Sequence, residues 1–225
     1  RSISMSPMDL KSSDKTFFKE KTNPRPGPLF SVLSLARNTQ LSLHDTVERH
    51  FPQYGEISDR FPAFAAAYEK KKREDKVTDY DDLLELWLKL LTDAPDVAQY
   101  FNHRFRHVLV DEYQDTNILQ ARVLKGMCRS HRNITVVGDD AQSIYSFRGA
   151  SFRNILDFPR EFPGTTIVTL EQNYRSTQPI LDVTNTLISR AEERFTKNLW
   201  TRREGGEKPW LVSVQDEAQQ TRFTV

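Results

Sequence analysis

Val108-Leu109-Val110-Asp111-Glu112-Tyr113-Gln114-Asp115 is the stretch on which the reading of this chain turns. Three aliphatic residues run straight into two adjacent carboxylates. A short continuous apolar run suits a strand buried on both faces of a parallel sheet. The end of such a strand delivers Asp111 and Glu112 to the sheet edge. There one carboxylate can hold magnesium and the other can orient a water. A solvated turn after an apolar strand looks the same, and the acidic pair alone does not separate the two readings.

Downstream, the pattern repeats twice. Ile134 to Val137 reads as a second strand and runs into Gly138-Asp139-Asp140-Ala141-Gln142. Thr166 to Leu170 reads as a third and runs into Gln172-Asn173-Tyr174-Arg175-Ser176. A helix over Ile118 to Met127 separates the first two, and a turn-rich stretch leads to Asn154-Ile155-Leu156 before the third. A helix from Gln178 to about Ala191 precedes a fourth strand, Pro209 to Val214. This alternation predicts an α/β fold with a parallel sheet covered by helices. A boundary between two α/β units is expected near Gly164 to Leu170.

Each loop carries side chains suited to one chemistry and also open to a plainer reading. If the first two strands are neighbours, Gln142 shares the sheet edge with Glu112. Its neutral amide can bond a phosphate oxygen or a water; it can equally be a polar loop tip. In Ser143-Ile144-Tyr145-Ser146-Phe147-Arg148-Gly149, Tyr145 and Phe147 alternate and share one face of an extended segment. Stacking of that kind contributes roughly 1–3 kcal/mol per base, and Arg148 could hold a backbone phosphate. Aromatics at core positions are the alternative. Arg175 is a candidate for neutralising phosphate charge and Tyr174 for stacking on a base. The alternative there is a capping Ser176 beside a surface arginine.

Upstream, residues 1 to about 28 are polar and end in Pro24-Arg25-Pro26-Gly27-Pro28, which predicts a loop. Phe30, Val32, Leu33, Leu35 and Ala36 form a short helical stripe. Ser42 with Asp45 approximates a capping box, with Val47 and Phe51 pointing inward. Pro62 starts a third helix through Phe64 to Tyr68, which ends in Lys70-Lys71-Lys72-Arg73. That basic run is read as a solvated helix end, with phosphate contact the minority reading. Tyr80, Leu83, Leu84, Trp87, Leu88 and Leu91 recur at helical spacing, with Asp79, Asp81 and Asp82 in the first turn.

Bulk composition excludes little. The chain has 225 residues and a formal net charge of +1, so a nucleic-acid surface would have to be a local patch. Its one cysteine, Cys128, cannot form an internal disulfide and is expected to be buried. No apolar run approaches membrane-spanning length. The start carries no initiator Met and no hydrophobic leader, and the end falls in what reads as mid-helix; an internal piece of a longer protein is expected.

Val110 to Asn117, Val137 to Ala150 and Leu170 to Ser176 resemble motifs II, III and IV of the UvrD/Rep (PcrA-like) superfamily 1 DNA helicases. Asp79-Tyr80-Asp81-Asp82-Leu83-Leu84 is similar to the acidic helix start before motif II. The likeness covers about residues 30 to 225. It implies a P-loop NTPase (RecA-like) motor portion with a parallel sheet, an inserted α-helical subdomain and the start of a second RecA-like domain. The implied division is a polar loop over 1–28, a 1B-like helical subdomain over 29–78, the second half of the first motor domain over 79–166, and the opening of the second over 167–225.

The resemblance also implies roles. Asp111 would ligand Mg2+, Glu112 would activate water, and Gln142 would sense the γ-phosphate of ATP and couple it to DNA. Tyr145, Phe147 and Arg148 would contact single-stranded DNA. Tyr174 would stack on adenine and Arg175 would reach the γ-phosphate. The family usually has tryptophan where this chain has Phe147, a smaller stacking surface. None of the 8 glycines sits in a G-x-x-x-x-G-K-[ST] phosphate loop, and the late family motifs are absent. The implied activity is ATP-dependent, 3′-to-5′ DNA translocation and unwinding on single strands and single-strand/duplex junctions, in a bacterial cytoplasm, nucleoid-associated, in repair or replication. The fragment by itself is expected to be inactive. A DNA-binding module with an incomplete motor, or the helicase part of a helicase–nuclease subunit, are the alternatives.

Overall fold

The computed structural model describes residues 24–146 and 149–224. The chain divides into two compact units between Pro163 and Gly164. In the first, the helical part opens with α1, Pro26–Thr39. The loop expected through residue 28 therefore stops short. Pro26 and Pro28 fall in a first turn, where a missing N–H costs nothing. Helix α2, Leu43–His50, is capped by Ser42, whose Oγ accepts the Asp45 N–H. A 3₁₀ segment, Pro52–Arg60, leads into α3, Phe61–Asp75. Leu29, Val32, Val47, Phe61 and Phe64 close over one another as a core.

The mixed part begins with α4, Tyr80–Asp93. Its N-terminus is a reciprocal capping box: Asp79 accepts the Asp82 N–H and Asp82 accepts the Asp79 N–H. The inward face is Leu84, Leu88 and Leu91; Tyr80, Leu83 and Trp87, expected on that face, are exposed. Helix α5, Pro95–Arg104, follows. It is not among the elements expected from the sequence, although Pro95 and Asp96 mark a helix start and Ala98 and Phe101 supply an apolar face. Strand β1, Val108–Val110, helix α6, Ile118–Met127, and strand β2, Ile134–Val136, come next. The strands pair in parallel, Val108 with Ile134 and Val110 with Val136. Leu91, Val108, Val123, Met127 and Cys128 form the second core, and Cys128 is fully buried as expected. Helix α7, Arg153–Glu161, completes this unit.

The 164–225 unit holds α8, Gln178–Ile188, and α9, Glu217–Thr224. The strands expected over Thr166 to Leu170 and Pro209 to Val214 do not form. Val168 and Leu170 are more than 70% exposed and Leu211 is fully exposed. A strand exists only through hydrogen bonds to a neighbour. The described residues offer just one ladder step here, a parallel bridge between Gln172 and Trp200.

Candidate functional site

The β1–β2 ladder continues one step past both strands. The Val137 N–H donates to the Val110 carbonyl (2.8 Å) and the Tyr113 N–H to the Val137 carbonyl (2.9 Å). The loops holding Asp111–Glu112 and Asp139–Gln142 thus leave the same sheet edge. Asp111 is exposed, and its Oδ1 accepts the Glu112 N–H at 2.9 Å. Glu112 takes a left-handed backbone, φ 50° and ψ 42°. For a residue with a Cβ that costs about 1–2 kcal/mol. The step drives Tyr113 into the core, edge-on to Phe158 at 5.6 Å.

The same turn brings Gln114 back beneath Glu112. Gln114 is 1% exposed. Its Nε2 donates to Glu112 Oε2 at 2.7 Å, and its Oε1 accepts the Asp139 N–H at 3.0 Å. A carboxylate on one side and an N–H on the other admit a single amide orientation. Gly138 makes this approach possible, since a Cβ there would lie 2.5 Å from Gln114 Oε1 and 2.8 Å from Ile155 Cδ1.

Asp139 caps the 3₁₀ turn Asp140–Gln142 through the Ala141 N–H. Gln142 is exposed, and its Nε2 donates to Asp139 Oδ2 at 2.8 Å. Gln142 and Glu112 are therefore joined through Asp139 and Gln114. Tyr145 is 37% exposed and Ile144 71%. Phe147 and Arg148 lie outside the described residues. Gly149, at φ +79°, turns the chain over α1, where Asn38 and Thr39 would crowd any Cβ. The loop is fastened to helix α6 by an antiparallel bridge from Ala150 to Asn117. Asn117 Nδ2 in turn donates to Asn38 Oδ1 at 2.7 Å.

In the 164–225 unit, Asn173 Oδ1 accepts the N–H groups of both Arg175 (2.8 Å) and Ser176 (2.7 Å). Arg203 Nη1 donates to the Arg175 carbonyl at 2.6 Å. This pinned turn presents Tyr174, 77% exposed, and the exposed Arg175.

Sequence reasoning missed a buried charge cluster. Lys72, expected in a solvated basic run, is 2% exposed. Its Nζ lies 2.5 Å from Asp82 Oδ1, 2.8 Å from Glu69 Oε1 and 3.0 Å from Asp79 Oδ2. Arg37 joins from α1, 3.1 Å from Asp82 and ion-paired with Glu69. Desolvation works against the charge on Lys72, and the hydrogen bonds it donates to the Asp82, Glu69 and Asp79 carboxylates outweigh it, so its pKa is raised. Burial likewise opposes ionised Asp79, but the Asp82 N–H and Lys72 hold its pKa down. The signal was available: Phe61, Phe64, Tyr68 and Lys72 occupy one helix face.

The edge residues fit a nucleotide-bound magnesium ion in donor chemistry. Asp111 and Glu112 supply exposed carboxylate oxygens, and Asp115 Oδ1 is buried with no hydrogen-bond partner. Magnesium takes oxygen ligands only, commonly one or two carboxylates plus phosphates and water. Among the described residues no group of three or more acidic, histidine or cysteine side chains could hold a metal by itself. No described helix is long and apolar enough to cross a membrane.

Residues 8–163 match the UvrD/REP helicase N-terminal domain, and residues 168–225 match the UvrD-like helicase C-terminal domain. The chain is 42% identical over 156 residues to a probable DNA helicase II homolog of Rickettsia felis, covering 69% of this chain and 24% of that protein. It is 37% identical over 199 residues to the ATP-dependent DNA helicase PcrA of Leuconostoc citreum, covering 88% and 26%. It is 37% identical over 205 residues to the ATP-dependent DNA helicase UvrD1 of Mycobacterium bovis, covering 88% and 27%. The chain thus spans about a quarter of the length of these relatives. With both domain models matched in order, and the first of them over more than half of its length, the chain belongs to the UvrD/REP helicase family.

Proposed function

We propose that the protein carrying this chain is an ATP-dependent DNA helicase that translocates on single-stranded DNA, with residues 79–166 and 167–225 belonging to RecA-like motor domains and 29–78 to a 1B-like helical subdomain. The observation that carries this reading is the common edge of β1 and β2, where Asp111, Glu112 and the Gln142 loop meet. In this reading Asp111 ligands Mg2+ and Glu112 accepts a proton from the attacking water. Magnesium, when bound, neutralises charge on the transferred phosphoryl group. Gln142 reads the terminal phosphate, while Tyr145, Phe147 and Arg148 hold the strand by stacking and charge. Tyr174 stacks on adenine, and Arg175 neutralises phosphate charge. The 3′-to-5′ direction rests on the family alone.

The test uses the full open reading frame, since the chain spans a quarter of its relatives. Glu112→Gln should lower DNA-stimulated ATP turnover by about 100-fold or more while nucleotide binding persists. Undiminished turnover would overturn the reading.

A further inference from the structure

We infer that Gln114 is a positioning residue that ties the water-activating carboxylate to the loop that meets DNA, an inference that rests on the function proposed above. Three hydrogen bonds run in series. Gln142 Nε2 donates to Asp139 Oδ2 (2.8 Å), the Asp139 N–H donates to Gln114 Oε1 (3.0 Å), and Gln114 Nε2 donates to Glu112 Oε2 (2.7 Å). Gln114 is the one member of this series that is buried.

Its position in the series is set by packing. Gly138 admits the amide by having no side chain, and the backbone of Tyr113 is held by Val137 across the ladder. Gln114 therefore has little freedom to follow one neighbour without pulling the other. Glu112 sits in a left-handed backbone state and has no other described hydrogen bond to its carboxylate. Its orientation thus depends on Gln114 Nε2. A shift of the Asp139–Gln142 turn, such as strand engagement by Tyr145 would impose, moves Gln114 Oε1 and with it the Glu112 carboxylate. A misplacement on the order of 1 Å in such a group costs about 100-fold in rate.

Gln114→Glu separates the two arms. It keeps an acceptor for the Asp139 N–H and sets a carboxylate against Glu112 in place of the donor. Gln114→Met keeps the volume and removes both arms. In the full-length protein both variants should lower the DNA-stimulated kcat about 10- to 100-fold, with KM for ATP and the affinity for a fluorescent ATP analogue within about twofold. Retained nucleotide affinity certifies the fold. Should the Met variant lose that affinity, the Glu variant decides. Unchanged kcat in a folded Gln114→Glu protein overturns the inference; so does a loss seen only in KM. The proposed function is judged separately by Glu112→Gln: a dead Glu112→Gln beside a fully active Gln114→Glu rejects only the role of Gln114.

Discussion

Lys72 Nζ lies 3.0 Å from Asp79 Oδ2, and the lysine side chain is only 3% exposed. The contact joins the end of α3 to the capping residue of α4. Arg37 of α1 reaches the same carboxylates, so three helices share one ionic cluster. Removing one partner strands a buried charge. Lys72→Met is expected to destabilise the protein by about 3–5 kcal/mol, whereas Lys70→Ala, with its side chain 77% exposed, should change stability by no more than about 0.5 kcal/mol. Urea denaturation midpoints compared at equal m-value check both.

The same cluster sets an acid limit. The pKa of Asp79 is lower in the folded chain than its usual 3.8. Its stabilising contribution is therefore complete above about pH 4 and disappears as pH falls through the depressed folded value. Lys72, raised in the fold, contributes below its ordinary 10.5 and loses that contribution only in strong alkali. Glu85 has the opposite sign, since burial raises its pKa and protonation favours the fold. Asp79→Asn should flatten the acid limb of stability below pH 4, measured by thermal unfolding across pH 2–6. An unaltered limb would remove Asp79 from that role.

Gly138→Ala places a methyl 2.5 Å from Gln114 Oε1 and 2.8 Å from Ile155 Cδ1. Both neighbours are held in place, so relief requires the turn to move. A loss of about 1–3 kcal/mol in stability is expected. Denaturant unfolding of the alanine variant measures it, and a neutral outcome would show that the Gln114 contact is loose.

Cys128 is fully buried, and burial pushes its thiol up to about 11. The thiolate is the reactive species. Labelling with a thiol reagent at pH 7.5 should be slow in the native protein and rise to the rate of a free cysteine in denaturant. Fast labelling under native conditions would mean that the core under α6 opens readily.

Tyr145 projects from the loop after Gln142 and is partly exposed. If it stacks on a base, Tyr145→Ala should weaken single-strand binding by about 1–3 kcal/mol, with Tyr145→Phe close to the parent. Fluorescence anisotropy with a labelled oligonucleotide reads both; equal affinity in all three proteins would eliminate the stacking role.

The sequence by itself determined the local parts. Ile118–Met127 and Val108–Val110 form where expected, because capping residues and apolar periodicity are short-range signals. The acidic and amide loops also follow their strands as read, and Cys128 is buried. Tertiary structure decided the rest. Lys72 is buried because its helix face continues that of Phe61, Phe64 and Tyr68 toward carboxylates brought by α4, a meeting no local pattern encodes. Val168 and Leu211 have strand-like sequences but lie exposed outside any strand, because a ladder requires a partner backbone. Gln114 reads as one polar letter between Tyr113 and Asp115. Only the parallel pairing of β1 with β2 brings Asp139 within reach of its amide and makes it the link between Glu112 and Gln142.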